Sequence, residues 1–81
     1  MKWRGDKLRA YRKAANMTQA LLGEEIGATQ QLIAKYECGK IEPTIKKINL
    51  LASALGINAA KLLDIEDEKD LLKAFLDEAF K

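Results

Sequence analysis

Residues 18–39, which read TQALLGEEIGATQQLIAKYECG, decide the fold of this chain. They contain two short amphipathic helical patterns separated by one tight turn at Gly27. The second pattern turns its apolar side chains inward and leaves three polar ones outside, Gln30, Gln31 and Lys35. Glutamine can bond bidentately to adenine, and lysine can reach guanine or a phosphate. The stretch therefore predicts two helices, the second of which suits the floor of the DNA major groove.

The rest of the chain is predicted to be all-α, because no stretch alternates apolar and polar residues as a half-buried strand would. We expect five helices in a first unit, residues 1–64, and one amphipathic helix in a second unit, residues 65–81. The first helix is predicted from about residue 6 to 15, and a short helix capped by Asn58 closes the first unit. The other helix starts are indicated by three threonines, Thr18, Thr29 and Thr44.

Composition argues against catalysis and metal binding. The chain has 81 residues, a single cysteine and no histidine. The usual zinc sites, Ser-His-Asp triads and Cys-His pairs therefore cannot form. Carboxylates adjacent in sequence, such as Glu24 and Glu25, splay apart on a helix and do not converge on a substrate. We expect no enzyme activity, no metal, no cofactor and no small-molecule ligand.

The cellular setting is predicted from the same composition. A lone cysteine, Cys38, fits a reducing compartment. No apolar run approaches the ~20 residues that span a bilayer, and the start MKWRGDK lacks the apolar stretch of a signal peptide. We therefore expect a cytoplasmic protein without a membrane partner.

Charge is distributed unevenly along the chain. Residues 1–47 carry ten Lys/Arg and five Asp/Glu, whereas residues 48–81 carry four Lys/Arg and seven Asp/Glu. The basic half holds the helix that suits the major groove, which is the asymmetry expected of a nucleic-acid binder.

A longer series of segments, which follow one another in a fixed order, supports the prediction of a DNA-binding protein. The segments LRAYRK, MTQALLGEEIG, ATQQLIAKYECGK, a proline and LASALGINAAKLL follow one another between residues 8 and 64. Together they resemble the Cro/repressor-type, XRE-like family of helix-turn-helix proteins, and TQQ at the start of the third helix is similar to the lambdoid phage repressors. The resemblance implies a lambda-repressor-like domain whose third helix enters the major groove by its N-terminal end.

The resemblance also implies roles for individual residues. The base-contacting positions are Thr29, Gln30, Gln31 and Lys35. Gln19 and Lys40 match positions that contact the DNA backbone, and Arg12 and Glu37 match a structural pair joining the first helix to the third. The chain departs from the family pattern at Leu21, Gly23, Leu32 and Cys38. Leu32 could touch a thymine methyl group or be buried against a partner.

The segment after residue 66 is predicted to be a helix with a broad apolar stripe. We expect this stripe to form a homodimer through Leu72, Phe75, Leu76, Ala79 and Phe80. A two-fold dimer would require a roughly palindromic operator. The alternative is that the helix folds back and caps its own domain.

These observations predict a sequence-specific, double-stranded DNA-binding transcriptional regulator, a repressor acting as a homodimer. The alternative is a protein-interaction module that uses the helix-turn-helix as a scaffold and binds an antitoxin- or antirepressor-type partner through Leu21, Leu32 and the C-terminal apolar stripe.

Overall fold

The computed structural model describes residues 2–64, which form four α-helices, one short 3-10 helix and a two-stranded sheet. The helices are α1 (Gly5–Ala14), α2 (Gln19–Ile26), α3 (Gln30–Glu37), α4 (Ile45–Leu55) and the 3-10 helix (Ala59–Leu62). The strands are β1 (Lys2–Trp3) and β2 (Leu63–Asp64). The predicted second unit, residues 65–81, and its apolar stripe lie outside the described residues.

The helices begin where the threonines predict. Thr18, Thr29 and Thr44 each accept a hydrogen bond through the side-chain oxygen from the backbone N–H three residues later, at 3.0, 3.1 and 3.3 Å. Each cap satisfies one of the N–H groups that a first helical turn leaves without a partner. Asn16, at φ 57°, separates α1 from α2. Gly27, at φ 70°, ends α2 and allows the sharp turn into α3.

The last helix of the predicted five is not an α-helix. Asn58 does cap it, because its Oδ1 accepts from the N–H of Ala60 at 2.9 Å. However, the element has only four residues, and Lys61 N bonds back to Asn58 O in the tighter 3-10 pattern. The chain then leaves the helix at once, because Leu63 is already paired in the sheet.

The prediction that the chain contains no strand is wrong. β1 and β2 pair antiparallel, with Lys2 opposite Asp64 and Trp3 opposite Leu63. Two-residue strands are too short to show the alternation by which strands are recognised in a sequence. Their pairing joins the two ends of the described chain.

One core holds the five helical elements together. Each of them contributes one fully buried side chain, namely Leu8, Leu22, Ile33, Leu51 and Leu62. Burial of such a side chain stabilises the fold by roughly 1.5–3 kcal/mol. Trp3 and Tyr36 also belong to this core. α2 and α3 are thus fixed relative to the rest of the domain.

Candidate nucleic-acid interface

The turn between α2 and α3 sets the angle at which α3 is presented. Ala28 N donates to Gly23 O at 2.7 Å. A Cβ at Gly23 would lie 2.7 Å from Ala28 O, closer than real Cβ contacts. Gly23 costs about 1 kcal/mol of helix propensity, but it lets the turn close tightly onto α2. This close approach explains why the chain departs from the family pattern there.

The N-terminal end of α3 is open to solvent. Thr29, Gln30 and Gln31 are all exposed. The Thr29 hydroxyl oxygen caps the helix by accepting from Leu32 N, so its own O–H remains able to donate. A phosphate or a base edge can therefore meet two amides, one hydroxyl and the positive end of the helix dipole in one place.

Two exposed lysines lie along α3 and just after it. Lys35 lies further along α3, and Lys40 follows the helix. Lys40 N donates to Lys35 O at 3.0 Å, and Gly39, at φ 79°, provides the left-handed backbone of this turn. The turn holds Lys40 beside the end of α3, where the resemblance implies a contact to the DNA backbone.

The C-terminal end of α3 is anchored by a buried ion pair. Arg12 Nε lies 2.6 Å from Glu37 Oε2, and Arg12 Nη2 lies 3.1 Å from Glu37 Oε1. Arg12 Nη1 also donates to Met17 O at 2.8 Å. The two side chains are only 10% and 5% exposed. The hydrogen bonds to Glu37 raise the pKa of the Arg12 guanidinium above its ordinary value.

Gln19 lies at the start of α2 and reaches the same carboxylate. Its Nε2 donates to Glu37 Oε1 at 3.2 Å, and the residue is half-buried. The resemblance gave Gln19 and the ion pair separate roles, and the structure brings them into one network. The sequence pattern held no signal for this contact, because it joins residues 18 positions apart.

Two further residues at the N-terminus hold the same end of α3. The indole N–H of Trp3 donates to Tyr36 O at 2.9 Å, and the two rings meet edge to face at 6.4 Å. A Cβ added at Gly5 would collide with the carbonyl oxygens of Tyr36 and Glu37. Neither the hydrogen bond of Trp3 to α3 nor the close approach of Gly5 was predicted from the sequence.

The remaining departures from the family pattern have different environments. Leu32 is half-buried and packs against the core, whereas Leu21 is 48% exposed. Cys38 is exposed, and its thiol lies 3.6 Å from Lys35 O.

Two kinds of feature are absent from the described residues. Residues 2–64 contain no group of three or more His, Cys, Asp or Glu side chains that could hold a metal ion. Within the same range, no helix is long and apolar enough to cross a membrane.

Comparison with known proteins gives the family. The model of the HTH_3 helix-turn-helix family matches residues 8–62. The cryptic phage CTXphi transcriptional repressor RstR of Vibrio cholerae is 39% identical over 57 residues, which cover 70% of this chain and 51% of RstR. The SPbeta prophage-derived HTH-type transcriptional regulator YonR of Bacillus subtilis is 34% identical over 59 residues, which cover 73% of this chain and 55% of YonR. An HTH-type transcriptional regulator of Methanocaldococcus jannaschii is 31% identical, over 79% of this chain and 97% of its own length. The chain thus spans about half the length of two of these relatives and nearly all of the third.

Solved structures show the same arrangement. The P22 c2 repressor, in complex with a synthetic operator, superposes with a TM-score of 0.72 at 30% identity over 79% of this chain and 97% of its own. The restriction-modification controller protein C.AhdI of Aeromonas hydrophila gives 0.70 at 29% identity, over 73% and 86%. Hydroxypropylphosphonic acid epoxidase from S. wedmorenis matches over only 32% of its chain, at 26% identity, so the fold is also found as one part of an enzyme. The family match, the regulators and the repressor structure agree, and the chain belongs to the XRE-type helix-turn-helix family of transcriptional regulators, with a fold similar to that of the lambdoid repressors.

Proposed function

We propose that this chain binds double-stranded DNA sequence-specifically and represses transcription as a homodimer. The observation that carries the proposal is the open N-terminal end of α3, with Thr29, Gln30 and Gln31 exposed on a helix whose other end is anchored in the core. A rigid helix that presents amides at its first turn can bond to base edges in the major groove without being ordered first. Lys35 extends this surface along the helix.

The DNA backbone would be held at two flanking points. Gln19 lies in the first turn of α2, where helix N–H groups attract a phosphate oxygen. Lys40 would meet a second phosphate beyond the end of α3. Such contacts fix the register of the protein on the duplex but carry no sequence information.

The dimer would form through the apolar stripe of residues 72–80. In a Phe75→Glu variant of the whole chain we expect the dimer to dissociate. The control is Lys73→Glu, which changes a position between the apolar ones and should leave the dimer intact. Sedimentation equilibrium measures both. A wild-type chain that stays monomeric at high micromolar concentration would contradict the dimer and favour the alternative in which this segment caps its own domain.

Selection of bound duplexes from a random library tests DNA recognition directly. We expect a roughly palindromic site whose half-sites lie about 34 Å apart, one turn of DNA. Enrichment of no sequence would contradict specific binding. A single half-site without symmetry would contradict the dimer alone.

A protein-interaction module is the second candidate, and one observation favours it. Leu21 is 48% exposed on α2, and an exposed apolar side chain there can contact another protein. Leu32, by contrast, is already packed against the core and is not free for a partner. A gel shift with random duplex DNA at low salt separates the two functions, because a DNA binder retains non-specific affinity there and an interaction module does not.

A further inference from the structure

We propose that Glu37 is a positioning residue for DNA binding, and that it orients the side-chain amide of Gln19 so that one N–H can be donated to a DNA phosphate. The proposal rests on the DNA-binding function proposed above and adds a role to the Arg12–Glu37 pair beyond stability.

The Glu37 carboxylate determines which end of the Gln19 amide faces it. The Glu37 side chain is 5% exposed, and both of its oxygens accept from Arg12. Oε1 also accepts from Gln19 Nε2 at 3.2 Å. An ionised carboxylate can only accept hydrogen bonds. The Gln19 amide must therefore present its nitrogen to Glu37, because the reverse orientation would place its carbonyl oxygen against a negative charge.

The Gln19 amide has one N–H donor that Glu37 does not use. A glutamine amide has two N–H donors and one carbonyl acceptor. One N–H of Gln19 is taken by Glu37, so one N–H is left for a ligand. A phosphate oxygen also only accepts, and this remaining N–H is the one side-chain group of Gln19 that can bind it. Without Glu37, the amide could turn its oxygen toward the phosphate, and the contact would be lost.

The position of Gln19 supports the same partner. Gln19 is the first residue of α2, and the Thr18 side chain caps that helix by accepting from Leu21 N. The first-turn N–H groups that the cap does not use lie beside the Gln19 side chain. An oriented amide and free helix N–H groups would thus meet one phosphate oxygen together.

The direction of the change in DNA affinity shows whether Glu37 orients Gln19 or acts only through its charge. A buried negative charge near a phosphate repels it. If Glu37 only contributed charge, removing that charge would strengthen DNA binding. If Glu37 orients Gln19, removing it weakens binding, and only while Gln19 is present.

The test is a double-mutant cycle on the full chain. Affinity for the selected duplex is measured by fluorescence anisotropy for wild type, Glu37→Gln, Gln19→Ala and the combined variant. We expect Glu37→Gln to weaken binding about two- to tenfold, the loss of one hydrogen bond, and to have no weakening effect when Gln19 is already alanine. Glu25→Gln, the matched control, removes the same charge from an exposed position on α2 and should not weaken binding.

A second set of variants keeps the test valid if Glu37→Gln unfolds. Arg12→Met with Glu37→Met removes both charges, leaves the net charge unchanged and strands neither partner. We expect the same dependence on Gln19 in this background. The side-chain amide protons of Gln19 should also shift in the NMR spectrum of this double variant, because it removes the oxygen that accepts from Gln19.

The outcomes distinguish this inference from the proposed function. A Glu37→Gln effect of equal size with and without Gln19, or a gain in affinity like that of a removed bystander charge, would overturn the positioning role alone. Wild-type protein that shifts no duplex at all would overturn DNA binding and this inference together.

Discussion

The two ends of α3 have opposite environments. At the C-terminal end, Tyr36 is 5% exposed and Glu37 accepts hydrogen bonds from α1 and α2. At the N-terminal end, Gln30 and Gln31 are exposed. The helix is held firmly at one end and presented to solvent at the other.

This difference predicts that the two ends of α3 contribute unequally to the stability of the domain and to DNA recognition. The anchored end is a network in which each charged or polar group has a partner; among residues 2–64, no buried side-chain nitrogen or oxygen lacks one. The open end carries polar groups that water satisfies until a ligand replaces it. Variants at the anchored end should therefore lower stability most, and variants at the open end should change binding without changing stability.

The largest effect is expected from breaking the ion pair. Arg12→Ala or Glu37→Ala leaves one buried charge without its partner and should lower the free energy of unfolding by about 3–5 kcal/mol. The matched double change to methionine should cost much less, because no charge is stranded. Urea unfolding followed by circular dichroism measures all three.

Lys13→Ala is the control for this series, since Lys13 is an exposed cation one residue from Arg12. It should unfold within about 0.5 kcal/mol of wild type. Single variants of the pair that unfold like Lys13→Ala would break the contrast between the two ends of α3.

The next effect concerns the open end. Gln30→Ala and Gln31→Ala should each weaken specific binding by roughly 1–3 kcal/mol while leaving non-specific binding and unfolding unchanged. Ser53→Ala, on the exposed face of α4, should change neither. Titrations against the selected duplex and a scrambled one give both affinities. A loss of equal size on both duplexes would place these glutamines on phosphates and not on bases.

How far these two ends could be predicted from the sequence depends on the range of the contacts. Thr18, Thr29 and Gly27 are local signals, because each residue acts on backbone within a few positions of itself. They placed α2, the turn and α3 correctly. The exposed face of α3 followed from helical periodicity alone.

The anchored end was only partly predictable. The Arg12–Glu37 pair was expected from family resemblance. The link from Trp3 to Tyr36 spans 33 residues, and the link from Gln19 to Glu37 spans 18. Contacts of this range depend on how the helices pack, and a single sequence holds no local pattern that reports it. The pairing of β1 with β2 was missed for the same reason.

A smaller effect is expected at Lys40, in the turn after the C-terminal end of α3. Lys40→Ala should weaken binding to all duplexes alike and reduce the slope of log affinity against log salt by about one unit. Gln19→Ala should weaken binding with little change in that slope, because it removes no charge. The control is Lys61→Ala, which also removes one positive charge but lies in the 3-10 helix. A changed site preference for Lys40→Ala at constant slope would contradict the backbone contact.

The smallest effect is expected at the ion pairs of Arg4, the residue that follows β1, with Asp64 and Asp6. Arg4 Nη1 lies 2.9 and 2.8 Å from the two carboxylate oxygens of Asp64, and Arg4 also bonds Asp6. The hydrogen bonds from Arg4 lower the pKa of both aspartates. A carboxylate whose pKa is lower in the folded state stabilises the fold above its unfolded-state pKa, and this contribution is lost as pH falls through the folded value.

Thermal unfolding should therefore become easier below about pH 5, with part of the loss due to this cluster. Asp64→Asn should lower the melting temperature at pH 7 slightly and flatten the acid dependence, since the Arg4–Asp64 contact joins residues 60 positions apart. Asp6→Asn should do less, because Asp6 lies two residues from Arg4 and can meet it in the unfolded chain as well. Both pairs are solvent-exposed, and exposed pairs contribute little compared with the buried one. An Asp64→Asn variant with the acid dependence of wild type would show that the Arg4–Asp64 pair does not help to hold together the two ends of the described range, residues 2 and 64.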